Sequence, residues 1–375
     1  MPIIWFYDPL TMISVIIAYI IGFIVLTTAA GVLAPRVARK VAGKYTLQAS
    51  MAILGTITVI AGLASIGLLT YILASMFGMG FINYLPAILV FVVILNMISY
   101  LFSPMMINIA YGARPDTRLQ EIVNNLSISL GFSKPPKAVV VRGPPNAFAY
   151  GNFLTGKYVA VSQELINITT EDELRAIIGH ELGHHKHRDN AIMLFMGLLP
   201  SLLYFLGISM IRVGLLMSTA MLSSRDRGRG GGGPLVALIG VIAIAISFLL
   251  QILVLAFSRL REYYADSVGA MLAGRRSMQR ALARLHVYYN RNTWAREIAV
   301  NSKIKALFIY AFTQAVANPF YHYTPPRSFD TRGIDIDRVV EELKKMETSD
   351  VSEFFSTHPA IPKRIRFIDT LVIKY

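Results

Sequence analysis

Two histidines four residues apart, His180 and His184, stand with a carboxylate between them in His180-Glu181-Leu182-Gly183-His184. On an α-helix that spacing puts both imidazoles on one face, where they can share a Zn²⁺ ion, and places Glu181 to activate a water beside it. Such a set serves hydrolysis of a peptide bond. A catalytic zinc usually takes three protein ligands and leaves a position for water, so this segment is one ligand short. The chain has no cysteine, which leaves histidine and carboxylate as the strong donors. Glu262, in Arg261-Glu262-Tyr263-Tyr264-Ala265-Asp266, is the candidate, and Asp266 follows it by about one helical turn on the same face. The pair suits a division of labour: Glu262 binds the metal, and Asp266 accepts a hydrogen bond from the far nitrogen of a ligating imidazole and fixes its tautomer.

The elements that must position these residues are also marked. Thr169-Thr170-Glu171-Asp172-Glu173 supplies an N-cap threonine, a glutamate three residues later and an acidic first turn. Leu174, Ile177 and Ile178 then repeat at helical spacing, so the motif is expected on a helix. Asn146–Tyr150, flanked by Lys137–Arg142 and Lys157–Ser162 with a turn at Thr155-Gly156, predicts a short antiparallel sheet. His185 and His187 are expected to face solvent or head groups, and Asp189 to end the helix or to support a ligand. Arg275, Arg276, Arg280 and Arg284 read as a solvated helix face over a membrane surface.

Mean hydropathy is +0.53, with 54% hydrophobic and 15% charged residues, far from the soluble average. No Asp, Glu, Lys or Arg lies between Asp8 and Arg36, and 69 consecutive uncharged residues separate Lys44 from Arg114. About 20 apolar residues cross the hydrocarbon core. The first run is therefore one span and the second is two, divided near Gly78–Tyr84. Residues 190–211 and 230–258 are also uncharged and add two more, separated by a loop carrying Arg225, Arg227 and Arg229. Arg36, Arg39, Lys40 and Lys44 follow the first span, so that loop is expected in the cytoplasm. Five spans then bring residues 111–189 and 259–375 to the cytoplasmic side.

This predicts a multi-pass protein of the cell membrane, with four segments. Residues 1–110 form an anchor of about three helices, 111–189 the first half of a catalytic domain with the zinc-binding helix, 190–258 a transmembrane hairpin, and 259–375 the second half. The net charge of +14 is spread along the chain, half of it in residues 259–375. With no nucleic-acid motif beside it, that excess reads as attraction to anionic lipid, and nucleic acid is not expected as a partner.

In this order along the chain, four places resemble the membrane-bound gluzincin peptidases of the M48 type, which include HtpX quality-control proteases and CAAX prenyl proteases. They are Asn146-Ala147-Phe148-Ala149, His180-Glu181-Leu182-Gly183-His184, Glu262 with Asp266, and His358-Pro359 with Arg364. The HtpX-like branch fits best by size, although three spans before the protease domain depart from its usual two. The resemblance implies a mainly α fold: integral membrane helices plus a gluzincin-like metalloprotease domain with a small antiparallel sheet. It implies one Zn²⁺ per subunit, His358 as hydrogen-bond donor to the oxyanion, and Arg364 as a residue holding that oxyanion or the substrate. It also implies an edge at Asn146–Ala149 where an extended substrate adds as a strand, and damaged or unfolded membrane proteins as substrates. The rivals are a CAAX-type processing protease, an intramembrane site-2-type protease and a non-enzymatic zinc-binding membrane scaffold. Lys186, His187, Arg188 and Asp189 after the motif argue against a site within the hydrocarbon.

Overall fold

The computed structural model describes residues 56–57, 60, 84–187, 189–223, 232–291, 334–347 and 359–371. The first expected span, most of the second and the loop at Arg225–Arg229 lie outside these residues. In chain order the described elements are α1 (Tyr84–Ala110), β1 (Arg114–Pro115), α2 (Thr117–Ser129), β2 (Lys137–Val141), β3 (Ala147–Asn152) and β4 (Gly156–Ser162). They continue with α3 (Gln163–Ile168), α4 (Glu171–Lys186), α5 (Asp189–Ser223), α6 (Gly232–Ala273), α7 (Arg275–Arg291), α8 (Ile336–Lys345) and α9 (Ile361–Thr370). The fold is mainly helical, with membrane helices and one small sheet. The described residues fall into two compact units, one drawn from Met1–Leu95 and Phe195–Phe257, the other from Asn96–Leu194 and Ser258–Tyr375.

In the first unit, Met196–Ser218 and the part of Gly232–Ala273 up to Phe257 are long and apolar enough to cross a membrane. Two glycine pairs bring α5 and α6 together antiparallel. A Cβ on Gly207 would lie 2.7 Å from the Gly240 carbonyl oxygen, and one on Gly214 would lie 2.5 Å from that of Gly233. Small residues at such a crossing let backbones pack where lipid supplies no hydrophobic drive for helix association. Leu203, Met210, Val236 and Ala243 are buried between the helices, while Leu216, Leu238 and Ile242 point outward. Helices apolar on all sides suit a lipid surrounding.

The second unit is built on a four-stranded sheet of order β1-β2-β4-β3. The expected antiparallel sheet is corrected to a mixed one. β3 and β4 form the antiparallel hairpin, but β2 pairs with β4 in parallel, Lys137 opposite Tyr158 and Val141 opposite Ser162. The chain reverses between β2 and β3 and again between β3 and β4, so β2 and β4 run the same way. β2 takes the inner side of β4, and β3 is left at the sheet edge. β1, two residues long, completes the other side.

One face of the sheet packs on α2, α3 and α4 through Val123, Leu126, Val159, Val161, Leu165, Ile178 and Leu182. Burying such side chains contributes about 1.5–3 kcal/mol each before chain entropy is counted. A second cluster, with Met278, Leu282, Val340, Ile365 and Ile368, joins α7, α8 and α9. Of the α7 arginines, Arg275 and Arg276 are exposed as expected, but Arg280 and Arg284 are not. Arg284 is buried with its Nε 2.6 Å from Glu173, and Arg280 reaches the same glutamate at 3.2 Å. Arg276 pairs with Asp337 and Glu341 of α8. A charge run in sequence does not reveal that acidic partners lie on distant helices.

Candidate metal centre

Helix α4 starts where its residues require. The Thr170 hydroxyl accepts from the Glu173 amide at 3.4 Å, and the Glu173 carboxylate accepts from the Thr170 amide at 3.0 Å, closing a capping box. The same carboxylate, buried within the unit, then holds Arg284. His185 fixes the other end of α4. It was expected to face solvent, yet it is buried, with Nε2 2.7 Å from the Tyr158 carbonyl oxygen of β4. Burial pushes its pKa down to about 4, so a neutral ring donates to that carbonyl. The helical face opposite His180 and His184 is therefore spent on the sheet. His187 lies edge-on to the Tyr264 ring, with centroids 3.9 Å apart, and is half-buried.

Glycine lets the carboxylate-bearing end of α6 approach α4. A Cβ on Gly183 would stand 3.1 Å from Ala265 Cα, one on Gly179 3.1 Å from Gly269 Cα, and one on Gly269 only 2.6 Å from the Ala176 carbonyl oxygen. This close approach carries Glu262 to the two histidines. His180 Nε2 and His184 Nε2 are 3.2 Å apart, and Glu262 places one carboxylate oxygen 3.6 Å from the first and the other 3.5 Å from the second. Ligand atoms about 2.0–2.1 Å from one tetrahedral zinc stand roughly 3.3 Å from each other. The triangle fits that size, and the donor set is one that zinc takes.

Each imidazole is held from behind. His180 Nδ1 lies 2.9 Å from an Asp266 oxygen, and His184 Nδ1 lies 2.6 Å from Asp189. An N–H at each Nδ1, donating to a carboxylate, leaves the Nε2 lone pair for a metal. Each aspartate in turn meets an arginine. Arg364 Nε on α9 donates to Asp266 at 2.8 Å and its Nη2 bonds the other oxygen, while Arg261 Nε on α6 stands 2.9 Å from Asp189. Burial would push the Asp266 carboxyl up, but the Arg364 guanidinium beside it holds it below the usual range. Burial also works against a charged His180, yet hydrogen bonds to Asp266 and Glu262 carry its pKa up to about 10. The same carboxylates that raise the His180 pKa also favour a cation at this place.

Of the residues picked from sequence, His180, Glu181, His184, Glu262, Asp266 and Arg364 share the second unit, and all but His184 are buried. Arg364 faces Asp266, with Nη1 3.7 Å from Glu262. Ala147, Phe148 and Ala149 lie on edge strand β3, and Asn146 precedes it, its amide donating to the Ser162 hydroxyl. His358 lies outside the described residues. Arg261 was not picked out; its signal was a charge just beyond a long uncharged run and next to a candidate ligand.

Comparison with known proteins gives this architecture a class. Residues 113–372 match the family described as Peptidase family M48, and the chain belongs to that family of peptidases. Within it the chain is HtpX-like. It is 47% identical to the Protease HtpX homolog of Pyrobaculum aerophilum over 353 residues, 94% of this chain and 96% of that one. The Archaeoglobus fulgidus homolog is 44% identical over 367 residues, 98% of each chain. The crystal structure of S. mikatae Ste24p shares the fold, with TM-score 0.50 and 18% identity over 85% of this chain and 65% of that one.

Proposed function

We propose that the chain is a membrane-bound zinc metalloendopeptidase. The observation that carries this is the convergence of two Nε2 atoms and the Glu262 carboxylate, with both Nδ1 atoms turned to aspartates. His180, His184 and Glu262 would hold one Zn²⁺, which when bound polarises a scissile carbonyl and lowers the pKa of water. Glu181, next to His180, takes the proton of the attacking water and passes it to the leaving amine. Asp266 and Asp189 keep the imidazoles in the ligating tautomer; Arg364 keeps Asp266 ionised and oriented, and Arg261 stands against Asp189. His358 donates to the oxyanion, where a placed donor is worth about 3–4 kcal/mol. Edge strand β3, with Asn146 before it, would take an extended substrate by main-chain hydrogen bonds, which asks little of its sequence.

The substrates in this reading are damaged or misfolded membrane proteins, cut at the cytoplasmic face of a multi-pass enzyme. What supports it is the lipid-suited pair α5 and α6, the basic residues between Arg36 and Lys44 in the sequence and the sheet edge at β3. The test is cleavage of an unfolded protein such as casein by the detergent-purified chain, wild type against Glu181→Gln at matched zinc occupancy. Zinc-dependent cleavage in the wild type is expected to fall by at least about 10³-fold in the variant, since both proton transfers are lost. Equal cleavage by the two would remove Glu181 as the base.

A further inference from the structure

The β3–β4 hairpin ends in the turn Phe153-Leu154-Thr155, where the phenylalanine is 73% and the leucine 67% exposed. The turn itself does not ask for apolar residues. Asn152 makes it, its side-chain oxygen accepting from the Leu154 amide at 3.0 Å, the Thr155 amide at 2.9 Å and the Thr155 hydroxyl at 3.1 Å. Polar residues are usual at tips in water, so the two large apolar side chains need another reason.

The strand leading to this tip climbs helix α1. The Tyr150 hydroxyl donates to Asn108 at 2.5 Å, the Asn152 amide group donates to the carbonyl oxygens of Tyr100 and Leu101 at 2.9 and 3.0 Å, and the Phe153 ring sits 6.3 Å from that of Tyr100. From Asn108 to Tyr100 is about 12 Å along the helix axis. α1 carries no charged residue, and Phe102, Met105 and Ile109 are exposed on it. Pro104 lies four residues after Tyr100 and has no N–H to give that carbonyl. Asn152, with help from the Ser103 hydroxyl at 3.1 Å, supplies the donors. In hydrocarbon a carbonyl without a donor costs several kcal/mol, so a fixed polar partner at this point suits a helix surrounded by lipid.

We propose that Phe153 and Leu154 form a lipid anchor, a hairpin tip inserted in the bilayer beside α1. The occupant of this surface is the acyl-chain and head-group boundary of the membrane. Continuity with the outward apolar side chains of α1 favours lipid over a protein partner, and Asn152 holds the tip at that level. The anchor ties the edge strand of the sheet to the membrane surface.

The absence of cysteine makes the test direct. Phe153→Cys and Leu154→Cys, made separately in the full chain, are labelled with a small fluorophore and reconstituted in phosphatidylcholine–phosphatidylglycerol vesicles. Ile128→Cys, 72% exposed near the end of α2 between the polar residues Ser127 and Ser129, is the reference. Nitroxide-bearing lipids are expected to quench the tip probes several-fold more than the reference, and aqueous iodide several-fold less. Equal behaviour at the tip and at Ile128 would overturn the anchor. Shielding from iodide without quenching by lipid would also overturn it, pointing to a second copy of the chain over the tip. Two separate positions keep the result readable if one variant fails to fold.

Discussion

His180 and His184 are both backed by an aspartate that meets an arginine, yet the two supports are assembled from different distances along the chain. Asp189 follows His184 by five residues, at the start of α5, and Arg261 touches it from α6. Asp266 comes to His180 from α6, and Arg364 comes from α9, 98 residues beyond Asp266 and 184 beyond His180. The support at His184 follows largely from one helix meeting the next. The support at His180 exists only after α9 has docked on α6 and α7. It is also the tighter of the two: Asp266 is fully buried and accepts from two nitrogens of one guanidinium, a geometry that lysine cannot reproduce.

The contrast is broken most severely by Arg364→Ala, which leaves Asp266 a buried carboxylate without its guanidinium, held only by His180. A loss of about 3–5 kcal/mol is expected for breaking a buried pair from one side, read as a lower denaturation midpoint of the purified chain. Arg364→Lys should recover only part of it. Gly269→Ala comes next, since its Cβ would meet the Ala176 carbonyl at 2.6 Å. Separation of α4 from α6 is expected to cost about 1–3 kcal/mol and to weaken zinc binding as Glu262 withdraws, both measurable on one preparation. A Gly269→Ala variant with unchanged zinc affinity would show that the two helices tolerate a wider spacing.

Asp266→Asn and Asp189→Asn sharpen the comparison directly. Loss of a carboxylate behind a ligating imidazole lowers metal affinity about 10–100-fold. The Asp266 variant is expected at the upper end and the Asp189 variant at the lower, as measured by competition with a chelator. The reverse order would make the sequence-local support the dominant one.

The smallest effect concerns Glu173, a buried carboxylate on the same helix with arginine partners and no imidazole. Burial would raise its pKa, but hydrogen bonds from Arg284 and the Thr170 amide lower it below 4.5. Its contribution is then fully present above pH 4.5 and lost as pH falls through the lower folded value. The stability advantage of wild type over Glu173→Gln should therefore shrink in that acid range and stay constant above it, as followed by denaturant titration across pH.

The parts legible in the sequence were those set by neighbours within one helical turn. Thr170 and Glu173 cap each other, and His180 and His184 share a face, because i,i+3 and i,i+4 geometry needs no tertiary contact. The hairpin of β3 and β4 was readable from its turn. The parallel pairing of β2 with β4 was not, because that register is set by packing on α2, α3 and α4 rather than by a turn. His185 looked like a solvent residue because its partner is a carbonyl 27 residues upstream, on β4. Arg280 and Arg284 of α7 looked solvated for the same reason, their shared partner Glu173 lying 107 and 111 residues away.

By itself the sequence determined the two-histidine helix, the carboxylate pair one turn apart, the long uncharged helices and the membership of an M48, HtpX-like lineage. The first three rest on local spacing or composition and the last on a resemblance of four motifs in order, all of which any chain conformer carries. Only the tertiary structure decided that Glu262 meets both imidazoles, that Arg364 turns to Asp266, that Arg261 backs Asp189 and that β2 pairs with β4 in parallel. Those outcomes depend on which helices can approach closely, and at Gly179, Gly183 and Gly269 the approach is set by missing side chains whose effect appears only once two helices are in contact.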